Sequence, residues 1–99
     1  MNTTEHLLTV LGEEGAEIAQ DVSKCLRFGL DDVNVLNPSG PTNRFRLVAE
    51  LNDLVAMADM LAGMGVIPAN WSNPEKQKEK VSKVRKFMEY ARKQGALTD

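Results

Sequence analysis

Glu13, Glu14 and Glu17 lie in one stretch of helical periodicity, and Glu50 and Asp53 lie in another. Residues three or four apart are neighbours on a helix face, so Glu14 sits beside Glu17 and Glu50 beside Asp53. At ~100° per residue, Glu14 falls at the margin of the first helix's apolar stripe and Glu17 just beyond it. Glu50 and Asp53 stand in nearly the same relation to the second stripe. Packing the two stripes together brings four or five carboxylates to one rim. Like charges so placed raise one another's pKa values and oppose folding unless cations intervene. All-oxygen ligation favours Mg²⁺ or Mn²⁺ over zinc. A Mg²⁺ ion held by a few carboxylates keeps water positions open and shares its site with phosphates, so the chemistry suggested is metal-assisted attack of water on a phosphoryl group.

Cationic residues near these clusters have two readings each. Lys24 either pairs with Asp21, three residues back, or contacts phosphate with help from Arg27. Asp21 is correspondingly an added ligand or a salt-bridge partner. Lys76, Lys80, Lys83 and Lys86 recur at three- and four-residue spacing, as a solvated face or, through Lys80, Lys83 and Tyr90, as neutralising charge for phosphate. Phe45 and Trp71 either pack or stack on a nucleobase. Gly12 and Gly15 flank the glutamates inside a helix, where each costs ~1 kcal/mol relative to alanine. They signify close helix packing, room for metal and phosphates, or both.

The elements that must position these groups are helices, since no stretch alternates at period two. The first runs from about Thr3 to Phe28: Asn2 with Glu5 three residues on is a capping pattern, and Gly29 is a natural stop. Its stripe is Leu7, Leu11, Ile18, Val22 and Cys25. Residues 30–42 carry Asp31-Asp32, Asn37-Pro38 and Gly40-Pro41 and read as a loop, long enough for a binding role. The second helix runs from about Asn43 to Gly63, with Leu47, Leu51, Leu54, Ala58 and Leu61 as an a/d-type seam. A third starts near Pro74, a residue suited to a helix N-terminus, and continues to about Gln94 with Val81, Val84, Phe87, Met88 and Ala91 facing inward.

With 99 residues, 42% apolar and 26% charged, the chain reads as one all-α domain over 1–99 rather than a disordered segment. Antiparallel helices would form a four-helix-bundle-like core, but three helices make a thin one. Completion by a second copy, as homodimer or homotetramer, is the expected solution. No run approaches a membrane span, and the start MNTTEHLL lacks the basic and apolar regions of a signal peptide. The single Cys25 excludes an internal disulfide, and a reducing cytoplasm is the expected location. Between Pro74 and Gly95 stand eight Lys/Arg and three Glu, while the rest of the chain is acidic and the total is −2. That balance does not suit stable nucleic-acid binding.

Leu11-Gly12-Glu13-Glu14-Gly15-Ala16-Glu17-Ile18-Ala19, followed by Glu50-Leu51-Asn52-Asp53-Leu54, resembles the all-α nucleoside triphosphate pyrophosphohydrolases, the MazG-like superfamily, which carry an E-E-x-x-E element on one helix and E-x-x-D on the next. Val22 to Gly29 is similar to the short phage and bacterial MazG-like proteins. The resemblance covers Leu7 to Leu61 well and the tail more loosely. It implies Mg²⁺-dependent hydrolysis of a (deoxy)nucleoside triphosphate to the monophosphate and pyrophosphate. By position, Glu14, Glu17, Glu50 and Asp53 would ligate metal, and Glu13 would be a ligand or the water-activating base. The 32 residues between Glu17 and Glu50 exceed the usual motif spacing, and the 30–42 loop accounts for the excess. The alternative from another class is a non-catalytic helical interaction module with an acidic, metal-binding rim.

Overall fold

The computed structural model describes all of residues 1–99 and contains three α-helices: α1 (Thr3–Phe28), α2 (Asn43–Gly63) and α3 (Pro74–Lys93). Extended pairing is limited to an isolated bridge between Val33 and Thr42. The chain divides into two compact units, Met1–Ala69 and Asn70–Asp99.

Helix ends follow from local chemistry. The Asn2, Thr42 and Asn73 side chains each accept a hydrogen bond from the backbone N–H three residues on, satisfying one donor left open at a helix start. Beyond α2 and α3, Gly65 and Gly95 adopt positive φ (75° and 77°). Their N–H groups bond Ala62 and Arg92, and the next residues, Val66 and Ala96, bond Leu61 and Ala91. This paired closure needs a left-handed residue, which glycine occupies without a Cβ penalty.

In the first unit, α1 and α2 pack antiparallel as a helical hairpin. The loop between them is tied down by backbone bonds from Asn43 to Asp32 (2.9 Å) and from Arg44 to Leu30 (2.8 Å). The Asn43 side chain, only 5% exposed, donates to the Gly29 carbonyl at 2.9 Å. Arg44 also pairs with Asp31 at 3.1 Å, a solvated contact that contributes little. Inside the loop Asn34 accepts from Leu36 N–H, and a side chain at Gly40 would collide with Asn37.

The seam of the hairpin keeps most of the apolar stripes expected and adds polar residues to them. Along α1 the less exposed residues are Thr4, Leu7, Val10, Leu11, Glu14, Ile18, Asp21, Lys24 and Cys25, and Asp21 is buried. Along α2 they are Asn43, Arg46, Leu47, Glu50, Leu54, Met57, Ala58, Leu61 and Ala62, with Asn43, Ala58 and Leu61 buried. The expected Leu51 and Val22 are exposed, and their neighbours Glu50 and Asp21 are in the seam instead. Leu51 is 45% exposed, whereas Leu61 is fully buried. Val48, Leu51 and Val55 form a second, half-exposed stripe on α2. Gly12 and Gly15 serve no close packing within the chain, because an added Cβ at either meets no atom within 4 Å.

The second unit is α3 with its flanking residues. None of its residues is buried: Val81, Val84, Phe87 and Met88 are exposed, and Ala91 is half-buried. One helix has no face of its own to pack against, so the inward orientation expected of this stripe is not realised within this unit. No helix is long and apolar enough to cross a membrane.

Candidate functional site

The hairpin brings the two acidic pairs together. One carboxylate oxygen each from Glu14, Glu50 and Asp53 lies within 4.8 Å of the others. Glu14 and Glu50 are half-buried in the seam, while Asp53 is exposed. One oxygen of Glu14 and one of Glu50 are shut off from solvent and accept no hydrogen bond. Buried acceptors of this kind normally find a donor, and no side chain or backbone N–H of the chain provides one here.

Glu17 is exposed and completes the cluster from the adjacent turn of α1. Its carboxyl is raised above the usual 4.5, first by hydrogen bonding with Glu50, then by repulsion from Glu50 and by desolvation. Glu50 is affected in both directions: the hydrogen bond with Glu17 lowers it, but desolvation, hydrogen bonding with Glu14 and repulsion from Glu14 and Asp53 outweigh that and raise it. Both carboxyls are thus raised, and the crowding of Glu14, Glu17 and Asp53 around Glu50 is the main cause. Glu13 is exposed outside the triad and reaches the cluster through its charge, which contributes to raising Glu17.

A pH dependence follows. Groups whose folded-state pKa is raised stabilise the fold in full below the unfolded value, and that contribution is lost as pH rises through the folded value. The metal-free protein should therefore lose thermal stability between 4.5, the ordinary glutamate value, and neutral pH. Calorimetry in EDTA, with Glu50→Gln as the reference that removes the pair, measures this term. Parallel pH profiles for the two proteins would contradict it.

The donor set suits a hard divalent cation, since it is all oxygen and includes two unpartnered acceptors. Two ligands at ~2.1 Å from one Mg²⁺ stand at most ~4.2 Å apart, so carboxylates within 4.8 Å need only a small closing rotation.

Beside the cluster, Glu17, Asp21, Lys24, Phe45, Arg46 and Glu50 help to line a cavity of about 330 Å³. The chain's ion pairs are Arg44–Asp31, Lys78–Glu75 and Arg92–Glu89, so the Lys24–Asp21 salt bridge does not form. Arg46, facing the same cavity, has a solvent-shielded Nε without an acceptor. Arg27 lies on the end of α1 with its guanidinium 4.7 Å above the Phe28 ring, a cation–π contact. Lys80, Lys83 and Tyr90 belong to the second unit and are exposed on α3. Lys83 and Tyr90 share a shallow hollow with Lys86 and Phe87.

No protein-family model, curated protein or solved structure matches the chain. A functional reading therefore stands on the chemistry of the site.

Arg46 and Asn43 were not among the residues singled out from sequence. Arg46 lies one turn before Glu50 on the side of α2 that meets α1, and its signal was that four-residue spacing. Asn43 looked like an ordinary first residue of a helix, and only the folded loop buries it.

Proposed function

We propose that the chain hydrolyses the α–β phosphoanhydride of a (deoxy)nucleoside triphosphate, releasing the monophosphate and pyrophosphate, in a Mg²⁺-dependent reaction. The observation that carries this reading is the convergence of Glu14, Glu50 and Asp53 within 4.8 Å, beside Glu17 and next to a cavity bearing two unpaired cations. The choice of the α–β bond, and the comparison with MazG-like enzymes, rest on the sequence resemblance.

Glu14, Glu17, Glu50 and Asp53 would hold Mg²⁺, or Mn²⁺ in its place, which supplies Lewis acidity toward phosphate oxygens and makes a water more acidic. Glu13, exposed beside the triad on the same helix as Glu14 and Glu17, accepts the proton of the attacking water or serves as a further ligand. Lys24 and Arg46 supply charge-assisted hydrogen bonds to phosphate, with Arg27 further along α1.

A second copy of the chain belongs to the proposal. α2 carries apolar residues on two sides, the seam and the half-exposed Val48, Leu51 and Val55. A helix apolar on two sides is characteristic of an internal position. Two hairpins joined through these stripes make the four-helix bundle that one chain does not contain, as a dimer or tetramer. The reducing cytoplasm, where nucleoside triphosphates are abundant, is the proposed setting.

The test is pyrophosphate release from a panel of ribo- and deoxyribonucleoside triphosphates with Mg²⁺ and with EDTA. At least one substrate should yield monophosphate and pyrophosphate with Mg²⁺ and none with EDTA. Release of orthophosphate alone would place the cleavage at another bond. No hydrolysis across the panel would favour the non-catalytic interaction module, for which the exposed apolar residues of α3 already speak.

A further inference from the structure

A second cavity, of about 260 Å³, lies between the end of α1, the 30–42 loop and the start of α2. We infer that it is the nucleoside subsite: it takes the base and sugar of the substrate whose phosphates lie at the acidic cluster. The inference rests on the proposed reading of that cluster as a metal–phosphate site and adds where the rest of the substrate sits.

Three features carry it. The first is continuity: Lys24 and Arg46 line both this cavity and the one containing Glu17 and Glu50. The order along the hairpin is therefore carboxylates, then two cations, then the loop cavity. Glu17 to Phe28 spans eleven residues of α1, or ~16 Å at the helical rise. Metal-bound phosphate, further phosphate charge and nucleoside succeed one another in the same order along a nucleotide.

The second is the character of the walls. Phe28, Val33 and Val35 provide apolar surface, and Asp32, Asn34 and Asn43 provide the few polar groups. An apolar pocket with a small number of placed polar groups is the usual form of a small-molecule site. Its volume is somewhat below the ~300–1,000 Å³ of drug-sized sites, which suits one part of a nucleotide. The Asn34 Oδ1 is already engaged by Leu36 N–H, leaving its amide N–H₂ to donate, and Asp32 forms no ion pair. The cavity thus offers a donor and a charged acceptor to a base edge or a sugar hydroxyl.

The third is the condition of the cations. Neither Lys24 nor Arg46 belongs to an ion pair, so both charges stand uncompensated at the boundary between the cavities, where an anionic oxygen would meet them. Phe45 is the competing aromatic platform, but it lines the cavity of Glu17 and Glu50, which the phosphates would fill.

The test compares binding of Mg²⁺-loaded α,β-methylene deoxynucleoside triphosphates with Mg²⁺-tripolyphosphate, by calorimetry on the full chain. At least one nucleotide analogue should bind about tenfold or more tighter than tripolyphosphate, the part of the affinity that the nucleoside supplies. Phe28→Ala, at an exposed helix end, should erase that gain and leave tripolyphosphate affinity within about twofold. Val33→Trp, which fills the cavity, should do the same. Should Val33→Trp unfold the loop, Phe28→Ala with unchanged circular dichroism decides alone. Nucleotide affinity unchanged in Phe28→Ala, or lost in Phe45→Ala instead, would overturn the inference while leaving the metal–phosphate site standing. Absence of Mg²⁺-dependent binding by both tripolyphosphate and every analogue would overturn the underlying reading, and this inference with it.

Discussion

Glu50→Gln should reduce pyrophosphate release by ~10²-fold or more while leaving the metal-free protein at least as heat-stable as wild type at neutral pH. Glu50 is the centre of the cluster: it contributes to the 4.8 Å triad with Glu14 and Asp53 and is the main cause of the raised Glu17 carboxyl. Glutamine keeps the shape but cannot replace an anionic ligand to a hard cation. It also changes the metal-free energetics. The wild-type carboxylates repel one another with one buried oxygen each on Glu14 and Glu50 left without a donor. An amide brings two N–H donors to the same place and removes a charge. Were Glu50 structural, its loss would break an ion pair, but it belongs to none of the three present. A variant retaining near-wild-type turnover at saturating Mg²⁺ would remove Glu50 from the mechanism. One that melted well below wild type in EDTA would show that the charge stabilises the hairpin.

Leu61→Ala should cost ~2–5 kcal/mol, a large part of the ~5–15 kcal/mol that holds small domains together. Leu61 is the one large apolar side chain with no exposure, and its carbonyl closes the end of α2 by accepting from Val66 N–H at 3.0 Å. Leu51→Ala is the informative comparison. In an isolated protomer, a side chain 45% exposed loses only part of its transfer energy on truncation, about 1 kcal/mol. If a second copy covers Val48, Leu51 and Val55, truncation should cost more than ~2 kcal/mol and shift sedimentation toward the monomer. Equal sedimentation of the two proteins together with a small stability loss would place the partner surface elsewhere. Denaturation at several protein concentrations provides the reading, since an obligate dimer melts higher as concentration rises.

The helices and their limits were legible in the chain because their determinants are local. Asn2, Gly29 and Pro74, with the three- and four-residue spacing between them, act within one turn and need no partner. The acidic pairs were legible for the same reason, since Glu14 with Glu17, and Glu50 with Asp53, are neighbours on any α-helix. Periodicity also established that each helix has a preferred side, but not the rotation at which two helices meet. That is a property of the pair. Hydrophobicity favoured Leu51 and Val22 for the seam, yet both are exposed and Glu50 and Asp21 lie there, while the other expected positions of both helices stay in it. A two-helix hairpin has a narrow seam and cannot cover every apolar residue, so Val48, Leu51 and Val55 stay half-exposed. Drawing Glu14 and Glu50 into the seam turns a rim of carboxylates into a half-buried cluster with unpartnered oxygens. The loop shows the same division: Gly40 and Pro41 announced it, but its cavity, the burial of Asn43 and the meeting of Lys24 with Arg46 depend on contacts between residues far apart in sequence. Only the closed backbone, through Asn43 to Asp32 and Arg44 to Leu30, brings them together.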